Sequence, residues 1–526
     1  MNDAARALFD DPEALHEIEA ALPAAIAGRR WFGAKSRTIT SLEIVDVIAL
    51  PTVTDARIML ATIHYREGQD DTYLLPLRVV DTVADATSFL FDVQCADGVT
   101  RALIDACHDE ATASALLDAI ANSQALLGAH GIARGVPTAA FSTARGEQPL
   151  QSALWRREGS NSSIVYGDRL MLKLFRRPEV GINPDWELGR FLTDRAHFTH
   201  VPPTAGAIEY TDSAGNTRTL GLLQQLVTND GDARQQFIAG LRDFFTEVAV
   251  SDLAPTAFAE LRHESDLAQT AAPALAQAMF GNALEHARTL GHRTAEMHLA
   301  FASADGDLAP TPFTDEYQRE LYQSTHDQLH DVLELIGRRK QVLANGAERL
   351  ADRLLAIGDD AYERLRPVRD DQIDALRIRV HGDYHLEQVL AQANDYVILD
   401  FEGEPSASLT ERRIKRSPLK DVAGMLRSFD YAARPVLNEM PHSDSGKLSA
   451  ACSFWTAWVG GAFLDGYLTT GGDALLPEGR AASEALLRGF LLEKAAYEVQ
   501  YELNNRPTWV DIPLRGIVDQ LASLPS

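Results

Sequence analysis

The main change in the spacing of apolar residues along the chain, from the period of a strand to the period of a helix, falls near residue 230. Before about residue 230, short runs rich in β-branched residues, such as SLEIVDVIAL, ARIMLATIHY and TYLLPLRVV, are separated by turn-forming Asp, Gly and Thr. Between Asp232 and about Asp371, Leu and Ala recur at i, i+3 and i+4, which is typical of amphipathic helices. Strands followed by helices predict an α+β protein, and a length of 526 residues predicts two or three domains.

Three regions follow from this pattern. Residues 1–95 are predicted to form a β-rich module behind a short N-terminal helix. Residues 96–230 are predicted to hold a helical segment over 112–133 and then the strands of SSIVYG, RLMLKLF and LGLLQQLV. Residues 231–526 are predicted to be mostly helical. This order favours a bilobal enzyme with its site between the lobes.

Charge and cysteine content exclude several classes of function. The chain has 75 acidic residues against 49 Lys and Arg, a net charge of −26, so we expect neither nucleic acid nor a membrane surface as a partner. Its cysteines, Cys95, Cys107 and Cys452, are far apart, which suits a reducing compartment and excludes a CxxC zinc site. The first residues lack the order of a signal peptide, and no run reaches the roughly 18 to 20 apolar residues of a membrane span. We therefore expect a cytoplasmic protein.

The segment HGDYHLEQVL (381–390) and the later VILDFE contain residue types suited to phosphoryl transfer. Such a transfer needs a base for the acceptor hydroxyl, ligands for a divalent metal and a cation over the nucleotide phosphates. Asp383 and Gln388 have the spacing of the base and the metal-binding Asn in the protein-kinase loop H-R-D-x-x-x-x-N. Asp400 follows a predicted turn at Asn394 and a strand, and it is the second predicted metal ligand. Either acid alone fits a backbone-capping role better, but their order and hairpin spacing together favour a metal site.

The phosphate-binding cation is predicted in the first half of the chain. Lys173 lies inside the apolar segment MLKLF, where a charge is costly unless it is paired, and Glu187 is its predicted partner. The alternative is a solvated lysine on an edge strand. Gln224 and Leu226 are predicted to meet the adenine base through their backbone. No G-x-G-x-x-G loop precedes Lys173. Small polar residues whose backbone N–H groups would cover the phosphates stand there instead: Ser160, Asn161, Ser162 and Ser163.

These segments, in this order, resemble the maltokinases of the aminoglycoside-phosphotransferase-like kinase group. The resemblance extends through RRWFGAKSR, GSNSSIVYGDRLMLKLFRR, RTAEMHLA, HGDYHLEQVL, ERRIKRSPLKDVAGMLRSFDYAA and YELNNRPTWVDIP. It implies a bilobal protein-kinase-like fold with an N-terminal cap subdomain, a mixed α/β N-lobe and a mostly helical C-lobe. It also implies ATP and Mg²⁺ as cofactors and maltose 1-phosphate as the product, made for α-glucan synthesis, with trehalose synthase as an associated partner. Glu387 stands where the family usually has Gly.

Residues near the end of the chain fit a neutral sugar. Lys494, Tyr497 and Tyr501 recur at i, i+3 and i+7, so a helix would present them on one face. Tyrosine rings stack on pyranose rings and a lysine donates to hydroxyls, whereas the alternative is a packed tyrosine stripe with a solvated lysine. Further candidates for the acceptor pocket, each with a structural alternative, are His381, Tyr384, Glu402, Arg427, Tyr431 and Trp509. His381 is predicted mainly to brace its loop, because two histidines without a third ligand make a poor zinc site.

Two other functions compete with this reading. A kinase for glucosamine or an aminoglycoside would need unpaired carboxylates in the acceptor pocket, and Glu387, Glu402 and Glu404 are candidates for them. An inactive kinase-like binding protein would usually lack the metal-binding Asp or the phosphate-binding Lys. Asp400 and Lys173 are both present, which favours an active enzyme.

Overall fold

The computed structural model describes residues 2–155, 159–258, 264–340, 343, 346–440 and 445–522. The chain divides into two compact units, Met1–Val227 and Thr228–Ser526, called unit 1 and unit 2 below. Unit 1 combines antiparallel sheets with short helices, and unit 2 is mainly helical. The predicted α+β class is therefore confirmed.

Unit 1 begins with two helices that precede a sheet. Its helices are α1 (Asn2–Asp10), α2 (Pro12–Ile26), α3 (Glu110–Ala121), α4 (Phe141–Arg145) and α5 (Pro184–Asp194). Its strands are β1 (Ile39–Ala49), β2 (Ala56–Tyr65), β3 (Asp71–Val80), β4 (Phe89–Gln94), β5 (Thr100–Asp105), β6 (Ala125–Leu127), β7 (Gly131–Pro137), β8 (Ser152–Leu154), β9 (Ser162–Tyr166), β10 (Leu170–Leu174), β11 (Thr204–Asp212) and β12 (Thr217–Gln225). They form one sheet in the order β1-β2-β3-β5-β4 and another in the order β6-β7-β11-β12-β10-β9-β8.

The first sheet is buried on both faces, and strand β2 shows why. Successive side chains of a strand point to opposite faces, so Ile58 and Leu60 join the core that includes the second sheet. Met59 and Ala61 join the other core, beneath α1 and α2. Two buried faces account for the nearly continuous apolar run of this strand. The sheet ends with β5 at Asp105, beyond the module boundary predicted at residue 95.

The helix predicted over 112–133 is wrong in its second half. Helix α3 ends at Ala121, and residues 125–137 form the hairpin of β6 and β7 instead. A Cβ on Gly135 of β7 would lie 2.0 Å from the carbonyl oxygen of Ala119, so this strand passes directly over the helix backbone. Close tertiary contact of this kind overrides a local helical pattern.

Unit 2 is built from helices around a small hairpin. Its helices are α6 (Ala233–Val250), α7 (Glu264–Leu267), α8 (Ala274–Met279), α9 (Ala283–Ala302), α10 (Asp315–Arg339), α11 (Ala347–Ala356), α12 (Gly358–Asp370), α13 (Leu409–Arg412), α14 (Leu419–Glu439), α15 (Ser445–Leu475), α16 (Arg480–Asn505) and α17 (Asp511–Ala522). Its strands are β13 (Thr311–Pro312), β14 (Leu376–Arg377), β15 (Val389–Gln392) and β16 (Asp395–Ile398). Among the described residues, no helix combines the length and apolar character that a membrane span needs.

Helices α9 and α15 cross with their backbones in contact. A Cβ on Gly291 would lie 2.0 Å from the Phe463 carbonyl oxygen, and one on Gly466 would lie 2.1 Å from that of Arg288. Only glycine permits so close an approach at both points of the crossing. The pair therefore makes a tightly packed support within unit 2.

Candidate active site

The loop that carries the HGDYH motif is held by one buried carboxylate from helix α14. The backbone N–H groups of His381 and Gly382 donate to Asp421 at 2.7 and 2.9 Å. The His298 ring lies 3.1 Å from the same carboxylate, and both side chains are buried. Burial would raise the pKa of Asp421, but the hydrogen bonds and charge of its neighbours lower it below its ordinary value. Asp421 thus fixes the start of the loop as a carboxylate.

The Asp383 carboxylate lies next to a lysine and a histidine. Lys494 Nζ is 3.5 Å from one carboxylate oxygen, and His385 Nε2 is 3.7 Å from the other. Burial would raise the pKa of Asp383, but the His385 contact and the Lys494 charge together hold it well below the ordinary value. For the cation Lys494, burial alone would lower the pKa, but the negative charges of Asp383 and Glu404 raise it above its ordinary value. The pair is therefore a carboxylate beside an ammonium.

The hairpin of β15 and β16 brings the two predicted metal ligands together. Val389 pairs with Ile398, so Gln388 and Asp400 flank the open end of the hairpin. The Gln388 amide donates to Asp400 at 2.9 Å. Asp400 has a φ of 65°, a conformation that costs a non-glycine residue energy and that is often found at functional sites.

A cavity of about 750 Å³ opens beside Asp383 and runs along helix α16. Lys494, Tyr497 and Tyr501 all line it, so one face of α16 points into the cavity as the spacing predicts. The Tyr497 and Tyr501 rings are stacked at 27°, with centroids 6.3 Å apart. Trp509, in the turn after α16, is stacked at 28° on Tyr431 of α14. The cavity wall therefore offers two aromatic pairs.

Each carboxylate that lines this cavity has a partner of opposite charge. Glu404 lies 3.4 Å from Lys494 and also accepts a 2.6 Å hydrogen bond from the Tyr497 hydroxyl. Burial and this hydrogen bond raise the pKa of Tyr497 to about 12. The remaining pairs are Glu498 with Arg427 at 2.9 Å, Glu502 with Arg506 at 2.6 Å, Glu387 with Arg234 at 3.5 Å, and Asp383 with Lys494.

In unit 1, Lys173 is paired with a carboxylate on helix α5. Its ammonium donates to Asp185 at 3.0 Å. Asp185 is 1% exposed and lies two residues before Glu187, the partner predicted from the sequence. Asn183 caps the helix and Pro184 opens it, which places both acids in the first turn. Asp185 therefore joins Glu187 as a candidate for orienting the lysine.

The other nucleotide candidates lie on the same sheet or directly next to its strands. Lys173 of β10 pairs directly with Ser163 of β9, so the predicted cation and the end of the predicted phosphate loop are neighbours. Ser160 and Asn161 precede β9, and Ser162 begins it. On the other side of β10, Gln224 pairs with Met171, and the Leu226 N–H donates to the Arg169 carbonyl at 2.8 Å.

Three of the candidates for contact with the substrate, His381, Tyr384 and Arg427, are buried and bonded to other protein groups. His381 and Tyr384 are only 1% and 2% exposed. The His381 ring contacts the Leu399 carbonyl at 2.7 Å, and the Tyr384 hydroxyl contacts Thr294 at 3.0 Å, so both side chains brace the loop. Arg427 is also buried, and its guanidinium donates to Glu498 and Asp430. Glu402 lies beyond Asp400, where its carbonyl accepts from Arg412 at 3.1 Å.

Sequence reasoning missed three groups that support the site. Asp421 and His298 lie within DVAGMLRSFDYA and RTAEMHLA, which contributed to the resemblance without an assigned role. Glu498 lies one residue after Tyr497 and pairs with Arg427. The available signal for each was an ionisable residue in an otherwise apolar helical segment, since such a group must find a partner when the helix is buried.

Comparison with known proteins adds family information. Residues 26–109 match the family described as the maltokinase N-terminal cap domain. This segment is similar to a maltokinase cap. This cap domain comprises the first sheet of unit 1, and it confirms the resemblance to maltokinase-like kinases.

Two relatives and one solved structure that are similar to this chain are glucosamine kinases. One from Streptacidiphilus jiangxiensis is 28% identical over 239 residues, which are 45% of this chain and 50% of that protein. One from Mycolicibacterium smegmatis is 30% identical over 134 residues, 25% of this chain and 32% of that protein. The chain thus aligns with half the length of the first and a third of the second. A solved structure of glucosamine kinase in complex with glucosamine, ADP and inorganic phosphate matches with a TM-score of 0.60 at 19% identity, covering 94% of this chain and 98% of that chain. The fold is therefore kinase-like.

Proposed function

We propose that the protein transfers the γ-phosphate of ATP to the anomeric hydroxyl of maltose. The cavity beside Asp383 is the observation that carries the proposal, because its volume of about 750 Å³ lies in the upper part of the range for ligand pockets. Lys494 and Tyr501 are seven residues apart on α16, a distance of roughly 10.5 Å by the rise of an α-helix. A face of that length fits a disaccharide better than a single ring.

In the proposed reaction, Asp383 accepts a hydrogen bond from the sugar hydroxyl and orients its oxygen toward the γ-phosphorus. A bond forms between that oxygen and phosphorus, the bond to the bridging oxygen of ADP breaks, and the hydroxyl proton passes to Asp383. Lys494 stabilises negative charge next to Asp383. Lys173, held by Asp185, is proposed to bind the phosphates of the nucleotide.

Mg²⁺ is proposed to bind Gln388 and Asp400. A half-turn of the Gln388 amide would present its oxygen beside the Asp400 carboxylate, and oxygen donors of this kind are the ligands that Mg²⁺ prefers. When bound, the ion would neutralise charge on the phosphates during transfer. The left-handed backbone at Asp400 supports this assignment, since strain of this kind is usually kept for function.

The charge pairing in the cavity supports a neutral acceptor. An amino sugar carries an ammonium group, which needs a carboxylate that is free to receive it. Two of the three candidates for this role, Glu387 and Glu404, already lie 3.5 and 3.4 Å from Arg234 and Lys494. Glucosamine remains the second candidate, because two relatives that are similar to this chain are named glucosamine kinases.

A substrate comparison tests the proposal. ATP consumption is measured with maltose and with glucosamine at equal concentrations, and the reducing-end content of the sugar is measured in parallel. Phosphorylation of the anomeric hydroxyl removes the reducing end, whereas phosphorylation of any other hydroxyl leaves it. We expect ATP consumption with maltose, matched by an equal loss of reducing ends. Turnover with glucosamine and none with maltose would overturn the assignment in favour of the second candidate.

A further inference from the structure

A buried arginine joins the cap domain to the segment that holds the nucleotide candidates. Arg176 follows strand β10 and is only 1% exposed. Its Nε donates to the Ser162 hydroxyl at 2.8 Å, and its Nη2 donates to the Asp105 carboxylate. Its guanidinium carbon lies 4.3 Å from the centre of the Trp31 ring. Trp31 and Asp105 lie within the cap domain, so a single side chain contacts both regions.

The contact to the cap also involves the backbone. The Leu74 N–H of β3 donates to the Arg176 carbonyl at 2.8 Å, and Arg176 Nη1 reaches the Leu74 carbonyl at 3.4 Å. A buried guanidinium needs a charged partner and further acceptors to offset the loss of water. Asp105, Leu74 and Ser162 supply them. The orientation of Arg176 therefore depends on the cap.

Arg176 acts close to the residues proposed to bind phosphate. Ser162 pairs with Leu174 in the β9–β10 ladder, and the next pair is Ser163 with Lys173. Ser162 is itself 1% exposed, so its hydroxyl serves Arg176. The start of β9 is thus fixed by a side chain whose own charge is neutralised by the cap.

We propose that Arg176 is a positioning residue through which the cap domain sets the affinity for ATP. The arginine holds the start of β9 at Ser162, and Asp105 with Trp31 holds the arginine. Loss of this connection releases the segment at residues 159–163 and weakens the binding of the nucleotide. The inference rests on the proposed function, because it takes this segment and Lys173 as the phosphate site.

A second buried carboxylate of the cap provides a matched control. Asp46 of β1 is 1% exposed and accepts from the Ala129 N–H at 2.7 Å and from the Tyr210 hydroxyl at 2.8 Å. It therefore also joins the cap to the rest of unit 1, but its partners lie on β11 and in the β6–β7 turn, in the half of the second sheet away from β8 and β9. A general loosening of the cap would affect both carboxylates alike.

The experiment compares D105N, R176K and D46N in the full chain. D105N removes the charge that holds Arg176, and R176K keeps a charge but lacks the planar fork that serves two partners at once. For each variant, the dissociation constant for MgATP is measured by calorimetry, together with KM for ATP, KM for the sugar, kcat and Tm. If D105N does not fold, the measurements on R176K still test the inference.

We expect D105N and R176K to raise the dissociation constant and KM for ATP roughly tenfold, the change that about 1.4 kcal/mol of binding energy gives. KM for the sugar should remain unchanged, and D46N should lower Tm without changing KM for ATP. Equal effects of D105N and D46N on KM, or no effect of D105N and R176K, would overturn the inference. A wild-type protein that binds no MgATP would instead overturn the proposed function.

Discussion

At the scale of single residues, the proposed base is held in its ionised form. Lys494 and His385 keep the pKa of Asp383 low despite its burial. A carboxylate with a low pKa is a weak base, so it orients the hydroxyl and receives the proton only as the bond to phosphorus forms. This suits a loose phosphoryl transfer, in which the attacking oxygen needs little activation.

The Lys494 ammonium should set the acid limit of activity. In K494M the Asp383 carboxylate loses the positive charge that offsets its burial, so the pKa of Asp383 rises and the acidic limb of the kcat/KM profile moves to higher pH. We also expect kcat to fall about a hundredfold, as for loss of an electrostatic stabiliser. A pH–rate series on wild type and variant measures both. An acidic limb that stays in place would show that another group controls it.

Substitution of the base separates binding from chemistry. D383N keeps the shape of the side chain but removes its charge and its capacity to take a proton. We expect turnover to fall below about one-thousandth of wild type, while the dissociation constant for MgATP changes less than threefold. Single-turnover kinetics and calorimetry measure the two quantities. Near-normal turnover in D383N would exclude Asp383 as the base.

At the scale of elements, helix α14 supports the loop that carries Asp383. Asp421 accepts hydrogen bonds from two backbone N–H groups of that loop. Gly424, about one turn later in the helix, packs against the same loop. A Cβ on Gly424 would be 2.7 Å from the Tyr384 carbonyl oxygen, too close for either backbone to stay in place. Helix and loop therefore form one rigid element.

The matched substitutions G424A and G240A test this contact. G424A should displace the loop, lower stability by about 1–3 kcal/mol and reduce kcat at least tenfold. Gly240 is an exposed helical glycine with nothing within 4 Å of an added Cβ, so G240A should be neutral or stabilise by up to about 1 kcal/mol. Thermal unfolding and steady-state kinetics measure the effects. Equal behaviour of the two variants would show that the α14 contact is unimportant.

Elements with short-range signals follow from spacing, and the exact partners of long-range contacts do not. The hairpin around Asn394 and the face of α16 that carries Tyr497 follow from spacing alone. The partner of Lys173 required helix α5 to meet β10, and the anchoring role of Asp421 required α14 to meet the loop. Neither contact can be detected in the local periodicity of the sequence, because each depends on how distant segments pack.

At the scale of the whole molecule, each unit contains hydrophobic clusters of its own. The clusters beneath the sheets of unit 1 draw on residues before 227, and a helical cluster of unit 2 lies among α10, α11, α16 and α17. The sugar candidates lie in unit 2, and Lys173 lies in unit 1. Sequence periodicity places the change between these regions near residue 230, because the sheet and helix parts differ in their apolar period.

The pairing of carboxylates in the cavity has a consequence for the effect of ionic strength. A neutral sugar meets carboxylates that each lie beside a cation, with Lys494 shared by Asp383 and Glu404, whereas an ammonium sugar would also feel the field of a chain with a net charge of −26. We expect KM for maltose to change less than about twofold between 20 and 300 mM potassium chloride. A KM that climbs steeply over that range would mean that the acceptor itself is a cation.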